Sequence, residues 1–215
     1  MKAEPAGQLV VVGAGDHGRV VLELLRAAGE SPVGFVEPEA DSSPVDRVVD
    51  GLRVIGDLQH DLAWLAGEAR FVAALGDNRA RQAAYERCLG LGLIPIVAVH
   101  PTAIVLAGAR IDPGAMVCAA AVVGLGAWVA ANAIINTAAS VDHDNRIGAH
   151  ATIAPGAHLA GRVAVGEGAF VGIGAAVREA CRIGEWAVVA GGAMVTGDVP
   201  PGGRVAGVPA RAMDE

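Results

Sequence analysis

A histidine between two carboxylates is the part of this sequence best suited to acid–base chemistry. His143 is flanked by Asp142 and Asp144, in a polar segment that stands out from an alanine-rich background. A neighbouring carboxylate orients an imidazole and raises its basicity, which a general base working near neutral pH requires. Asn136, seven residues earlier, offers an amide donor and acceptor to a polar substrate. The same residue types also suit a solvated surface turn, so local composition leaves both interpretations open.

A second candidate site is a glycine-rich turn near the N-terminus. Gly13, Gly15 and Gly18 fit the GxGxxG spacing after an apolar strand pattern, and Glu37 follows about 20 residues later. This spacing is the dinucleotide fingerprint. The first 99 residues or so form a separate α/β segment with room for only half a dinucleotide fold, so NAD is not expected. The same turn at a helix N-terminus binds any phosphorylated ligand through backbone N–H groups, or serves only to turn the chain.

The segment around His143 is embedded in a six-residue repeat that must position it. From Val105 to Val195 every sixth residue is aliphatic, sixteen in all, and the residue two places earlier is nearly always small. A period of six fits neither an α-helix nor a continuous strand and is typical of a hexapeptide β-helix, with three sextets to a coil of 18 residues. The aliphatic residues expected to stack inside are Val105, Ile111, Val117, Val123, Val129, Ile135, Val141, Ile147, Ile153, Leu159, Val165, Val171, Val177, Ile183, Val189 and Val195.

The residues before the repeat alternate between strand and helix patterns. This order predicts a small parallel α/β domain over residues 1–99, followed by a β-helix domain with a short C-terminal tail over residues 100–215. The predicted strands are Gln8–Val12, Ser31–Val36, Arg53–Gly56, Arg70–Leu75 and Ile94–Val99. The predicted helices are Val20–Leu25 and Arg79–Gly90.

Composition and charge disfavour several classes of function. The net charge is −7 without a basic run, so nucleic acid is not an expected partner. No apolar stretch is long enough to span a membrane, and we expect no signal peptide. Cys88, Cys118 and Cys181 are odd in number and lack metal-ligand spacing, which favours a reducing cytoplasm over a disulfide scaffold.

Six motifs spread over nearly the whole chain resemble the bacterial sugar O-/N-acyltransferase family, in particular its nucleotide-linked 4-amino-sugar N-acetyltransferases. The resemblance implies a left-handed β-helix, a half-Rossmann-like first domain that binds the nucleotide sugar, acetyl-CoA as acyl donor, and a homotrimer with active sites between neighbouring subunits. The motifs are VVVGAGDHGRVV (Val10–Val21), VIGD (Val54–Asp57), LGDNRAR (Leu75–Arg81), INTAASVDHD (Ile135–Asp144), IAPGAHLAG (Ile153–Gly161) and AGVPAR (Ala206–Arg211).

The resemblance also implies roles for individual residues. His143 is the expected catalytic base, Asp144 the acid that tunes it, and Asn136 a substrate contact. The nucleotide-sugar pocket is implied at Gly15, Asp16, His17, Glu37 and Gly56, and the acetyl-CoA contacts are implied at Thr152, Gly161, Ile173 and Gly191.

Two departures from the family pattern bear on the substrates. Some relatives carry a second histidine where this chain has Thr152, and His150 occupies a different place in its sextet, which leaves that acyl-donor contact open. Where some UDP-sugar enzymes have paired aspartates, this chain has Glu37 and Pro38. A single carboxylate can accept both N–H groups of a guanine edge, which favours GDP-perosamine over a UDP-linked sugar.

Three functions are compatible with the sequence. The leading one is acetyl transfer from acetyl-CoA to the 4-amine of a nucleotide-linked 4-amino-4,6-dideoxy sugar, without a metal. The second is acetylation of a hydroxyl on a sugar or on serine. The third is a scaffold, or a carbonic-anhydrase-like β-helix of the γ class, whose zinc would need His143, His150 and His158 to converge.

Overall fold

The computed structural model describes residues 7–39, 46–60 and 69–213. The chain divides into two compact units between Ile96 and Val97. Within the described ranges, none of the helices has the length and apolar character needed to cross a membrane.

The first unit contains one six-stranded sheet, parallel except for its β3–β4 edge, in the order β3-β4-β2-β1-β5-β6. Its elements are β1 (Leu9–Val12), α1 (Asp16–Ala27), β2 (Gly34–Glu37), β3 (Val48–Val49), β4 (Leu52–Asp57), β5 (Arg70–Ala73), α2 (Asn78–Gly90) and β6 (Ile94–Pro95). The chain leaves β1 towards β2 on one side and returns on the other side as β5. Ligands of open α/β sheets bind at such a switch point, beyond the carboxyl ends of the strands.

The second unit is a left-handed solenoid whose two-residue strands form three parallel faces. The first face contains β7 (Ala98–Val99), β10 (Met116–Val117), β13 (Ile134–Ile135), β16 (Thr152–Ile153), β19 (Phe170–Val171), β22 (Val188–Val189), β24 (Arg204–Ala206) and the antiparallel β25 (Arg211–Ala212). The second face contains β8 (Ile104–Val105), β11 (Val122–Val123), β14 (Ser140–Val141), β17 (His158–Leu159), β20 (Ala176–Val177) and β23 (Met194–Val195). The third face contains β9 (Arg110–Ile111), β12 (Trp128–Val129), β15 (Arg146–Ile147), β18 (Ala164–Val165) and β21 (Arg182–Ile183).

The predicted fold class, an α/β domain followed by a left-handed β-helix, is confirmed. The single strand predicted over Ile94–Val99 is wrong, because its two ends belong to different sheets. Ile94–Pro95 pairs in the α/β sheet, whereas Ala98–Val99 pairs with Met116–Val117 as the first rung of the solenoid. The division at Ile96 therefore lies a few residues before the predicted boundary at residue 99.

The solenoid core is a stack of the repeated aliphatic residues. Fourteen of the sixteen are buried; Val105 is 41% exposed and Ile111 is half-buried. These two expectations were wrong because both residues lie in the first coil, where β8 and β9 pair with a later coil only. A stacked side chain needs a neighbour on each side to lose its contact with water.

Every sixth residue from Gly108 to Gly192 has a left-handed φ, between 54° and 83°. Glycine adopts this conformation without a steric cost, and Asn or Asp adopts it more readily than most residues. About half of these positions are glycine, but Asp144 and His150 are among the others, with φ of 58° and 60°. This slot turns the chain at each corner of the prism, three residues after the inward aliphatic.

Candidate active site

The turn that carries His143 follows β14, at the corner between the second and third faces. Asp142 Oδ1 accepts the backbone N–H of His143 at 2.7 Å, so this carboxylate shapes the turn. Asp144 Oδ2 lies 2.9 Å from His143 Nδ1. A carboxylate there accepts the Nδ1 proton and leaves Nε2 with the free lone pair. The side chains of His143 and Asp144 are 43% and 62% exposed, so a substrate can reach the pair.

Gly161 lies directly under the His143 ring. It comes one coil, or 18 residues, after His143, the same offset that pairs Ser140 with His158. A Cβ atom on Gly161 would overlap His143 Nε2 and lie 2.5 Å from Cε1 and 2.9 Å from Cδ2. The φ of Gly161 lies outside the left-handed region, so the backbone itself would accept another residue. The imidazole is therefore what requires glycine here.

Asn136 lies at a different corner, between the first and second faces, and is half-buried. Its Oδ1 accepts the backbone N–H of Thr137 at 2.8 Å. The second face separates it from His143, so one chain does not bring these two residues together.

Two of the residues expected to contact acetyl-CoA share that corner with Asn136. Ile173 is 65% exposed, which is unusual for a large aliphatic side chain. Gly191 follows one coil later, and a Cβ atom there would lie 3.0 Å from Ile173 Cγ2. The missing side chain of Gly191 therefore leaves the surface beside Ile173 shallow and accessible.

Thr152 and His150 lie apart from both of these corners. Thr152 is on β16 with 4% of its surface exposed, so it has little surface to offer acetyl-CoA. His150 is 8% exposed at the corner between the third and first faces, where its Nδ1 lies 2.8 Å from Asn132 Nδ2. Neither residue lies at the His143 corner.

The glycines of the N-terminal loop have different structural requirements. Gly13 has a φ of 100°, and a Cβ atom on Gly18 would overlap the Gly13 carbonyl oxygen, so the chain itself needs both. A Cβ atom on Gly15 would meet nothing within 4 Å. Gly15 is also the N-cap of α1, without a side-chain cap. The space above it is open to a ligand at the helix N-terminus, where backbone N–H groups favour anions.

Asp16 and His17 form the first turn of α1. The Asp16 side chain is fully exposed and lies 3.9 Å from Arg19 Nη1. Burial, with a smaller contribution from the positive charge of Arg81, lowers the pKa of His17 to about 4. His17 is therefore neutral at pH 7, and its buried Nε2 has no hydrogen-bond partner among the described residues.

Glu37 ends β2 at the same edge of the sheet and is buried. Its Oε2 accepts the backbone N–H of Ala14 at 3.3 Å, and its Oε1 lies 3.2 Å from Arg47 Nη2. Gly56, half-buried on β4, pairs with Val36 beside it. Each carboxylate oxygen accepts more than one hydrogen bond, so these internal partners leave capacity for a ligand.

Sequence patterns missed three residues that support these sites. Arg47 holds Glu37; buried Arg81 donates to Leu75 O at 3.0 Å and to Asn78 Oδ1 at 2.8 Å. Asn145, which the pattern groups with the small residues, is buried beneath the His143 turn. Arg47 left no signal in the sequence, whereas Arg81 ends the LGDNRAR motif and Asn145 is an amide at a repeat position occupied mainly by alanine.

The histidines required for zinc are held by different partners. His158 Nδ1 lies 2.8 Å from Ser140 Oγ on the second face, whereas His150 is at another corner. Over the three described ranges, no group of three His, Cys, Asp or Glu residues is placed to hold a metal ion.

Comparison with known proteins identifies similar folds with known ligands. Residues 8–88 match the family model of the PglD N-terminal domain. A histidine-to-asparagine mutant of perosamine N-acetyltransferase from Caulobacter crescentus, crystallised with CoA and GDP-perosamine, is 38% identical; 98% of each chain is covered and the TM-score is 0.89. The acetyltransferase domain of PglB from Neisseria gonorrhoeae, in complex with acetyl coenzyme A, is 36% identical over 96% of this chain and 98% of that chain, with a TM-score of 0.85. WeeI from Acinetobacter baumannii, 23% identical over 97% and 100% of the two chains, shares the fold with a TM-score of 0.82. No curated protein matches the chain by sequence.

Proposed function

This chain belongs to the bacterial sugar O-/N-acyltransferase family with a left-handed β-helix, and on that premise we propose that it N-acetylates a nucleotide-linked 4-amino-4,6-dideoxy sugar with acetyl-CoA. The observation that carries the proposal is the likeness, over 98% of both chains, to an acetyltransferase crystallised with CoA and GDP-perosamine. The PglB acetyltransferase domain, crystallised with acetyl coenzyme A, supports the same donor. The His143–Asp144 pair supplies the acid–base chemistry that this reaction needs.

His143 acts as the general base. The sugar 4-amine attacks the thioester carbonyl, a C–N bond forms, and the nitrogen becomes strongly acidic. His143 Nε2 accepts that proton while Asp144 holds the Nδ1 proton and stabilises the imidazolium. The C–S bond then breaks, and the sulfur leaves as CoA thiol after protonation by the imidazolium. Such a base contributes about 10²–10⁴-fold in rate.

Two corners of the prism supply the site, which supports a homotrimer. His143 and Gly161 lie at one edge of the second face, whereas Asn136, Ile173 and Gly191 lie at the other edge. If the second faces of three subunits surround a common axis, each His143 edge meets the opposite edge of a neighbour. Ile173 and Gly191 of one subunit then serve the histidine of the next, whereas Gly161 serves the histidine of its own subunit. Backbone N–H groups near Gly161 are the donors we propose for the developing oxyanion.

The nucleotide-sugar acceptor binds the first unit at the carboxyl edge of its sheet. The α1 N-terminus at Gly15 and Asp16 takes the diphosphate, with neutral His17 as an additional hydrogen-bond donor. Glu37 accepts the two N–H groups of a guanine edge, with Gly56 beside it, which favours GDP-perosamine over a UDP-sugar. The GDP-perosamine ligand of the Caulobacter crescentus enzyme supports this preference.

The compartment is proposed to be the cytoplasm. Cys88, Cys118 and Cys181 are all buried, free thiols. Burial raises the pKa of Cys88 to about 12 and that of Cys118 to about 11, so these two thiols are unreactive at neutral pH. Free cysteines are typical of proteins that work in a reducing compartment.

A substrate panel tests the proposal. CoA release is measured with acetyl-CoA and four acceptors: GDP-perosamine, a UDP-linked 4-amino sugar, a 4-hydroxyl GDP-sugar and free serine. We expect turnover with both amines, faster with the GDP-sugar, and none above background with the hydroxyl acceptors. Turnover confined to a hydroxyl acceptor would establish the O-acetyltransferase alternative instead. Acetylation of neither class would contradict the proposed function.

A further inference from the structure

Asn145 is a fully buried amide two residues before the inward-facing Ile147. The equivalent position of the other sextets, here called its slot, carries apolar side chains. The equivalent residues in neighbouring coils are Ala127, Val163 and Cys181, all at 0–2% exposure. A polar side chain inside such a stack loses its hydrogen bonds to water and must recover them from the protein. The partners of Asn145 therefore indicate what it is for.

Both partners are backbone carbonyls of turns at the His143 corner. Asn145 Nδ2 donates to Asp142 O at 2.7 Å and to Ala160 O at 3.0 Å. Asp142 immediately precedes His143, and Ala160 immediately precedes Gly161, on which the imidazole lies. Because both partners are acceptors, only the NH₂ end of the amide fits there. Its Oδ1 is buried without a hydrogen-bond partner among the described residues.

These bonds replace backbone bonds that close other turns of the solenoid. Elsewhere the N–H of the small residue donates to the carbonyl three residues earlier, as in Ala127 to Gly124 (3.2 Å) and Ala139 to Asn136 (3.0 Å). Within the fully described residues 142–181, that bond is absent from turns 142–145, 160–163 and 178–181. The Asn145 amide spans the first two of these open turns, whereas the third, at Cys181, has no amide.

We propose that Asn145 is a positioning residue for the acetyl transfer proposed above, on which this inference rests. Its amide fixes the spacing between the turn that carries His143 and the turn that carries Gly161. That spacing sets where the imidazole lies over Gly161, and hence where Nε2 points. Loss of the amide leaves the carbonyls of Asp142 and Ala160 without this donor, and the His143 turn relaxes.

Two variants separate positioning from packing. Asn145→Ala places in the slot the residue found at position 127, so the solenoid keeps a side chain that it accepts elsewhere. Cys181→Ala is the matched control, because it truncates the same slot at an open turn that does not contain His143. Should Asn145→Ala not fold, Asn145→Cys carries the same test, since the slot accepts Cys181 and S–H is a weak donor.

Kinetics and histidine NMR are measured on the full-length protein. We expect Asn145→Ala to lower kcat by about tenfold or more without raising KM for either substrate. This loss is part of the rate contribution of a general base, which is about 10²–10⁴-fold. The imidazole resonances of His143, assigned by their loss in His143→Asn, should shift in Asn145→Ala. Cys181→Ala should leave kcat and these resonances unchanged.

Two outcomes overturn the inference. A wild-type kcat with unshifted His143 resonances in Asn145→Ala removes the positioning role. Equal losses of kcat in Asn145→Ala and Cys181→Ala reduce Asn145 to a packing residue. If the wild-type protein proves inactive, the proposed function fails, but NMR still decides whether Asn145 holds the His143 turn.

Discussion

Gly161→Ala tests whether the imidazole position governs catalysis. The added methyl group would lie 2.5 Å from His143 Cε1 and 2.9 Å from Cδ2. Non-bonded carbon atoms are best separated by about 3.5–4.0 Å, so the ring must move by roughly 1 Å. The ring can swing towards solvent, because the His143 side chain is 43% exposed, and the fold should therefore survive. A displacement of about 1 Å from productive geometry costs about 10²-fold in rate, and we expect kcat to fall by that amount.

The assay is steady-state CoA release, with thermal unfolding measured in parallel. Gly197→Ala is the control: it lies two coils beyond Gly161, and its Cβ atom would meet nothing within 4 Å. In a His143→Asn background, Gly161→Ala should cause little further loss, because both changes remove the same interaction. Normal kcat in Gly161→Ala would show that the imidazole position over Gly161 does not govern catalysis, and so would a full additional loss of kcat in the double variant.

Three further predictions concern the first unit. Gly15→Ala should raise KM for the nucleotide sugar without lowering Tm. Gly90→Ala, with equal open space at the end of α2, should leave KM unchanged. Equal KM values in these two variants would contradict a ligand at Gly15. Glu37→Gln should weaken binding of GDP-perosamine more than binding of a UDP-sugar in calorimetry; equal losses would indicate that Glu37 acts only on the loop, through Ala14. The pKa of His17 falls from 6.5 in the unfolded chain to about 4 in the folded protein, so the folded state binds fewer protons between these pH values. The free energy of unfolding should therefore rise with pH by about 3 kcal/mol up to pH 6.5 and then level off. A pH series in which His17→Gln keeps this rise would contradict the assignment.

The period of six predicted the solenoid because one physical requirement repeats in every sextet. An inward aliphatic must stack on its equivalent in the next coil, and this was right wherever a coil lies on both sides. It was wrong at Val105, where no coil precedes the second face. The sequence does not predict the left-handed position of each sextet, because residues such as Asp144 and His150 occupy it alongside glycine.

Contacts between coils were harder to anticipate than the coils themselves. The offset of 18 residues places Gly161 under His143, a relation that the repeat contains but that local composition does not indicate. The pairing of Glu37 with Arg47 depends on the α/β sheet edge and has no spacing rule. Asn145 differs from the alanines of its slot, yet only the backbone geometry reveals that two open turns need its amide.

The pH dependence of His143→Asn tests whether His143 is the general base. Turnover of the amino sugar is measured from pH 7 to high pH for the wild type and the variant, with nucleotide-sugar affinity measured alongside. We expect a loss in kcat of at least about 100-fold at pH 7, with little change in nucleotide-sugar affinity. The loss should shrink at high pH, where more of the amine is neutral without help. Near-normal turnover of His143→Asn at pH 7 would contradict the general-base role of His143, because the enzyme would then act mainly by binding a neutral amine beside the thioester.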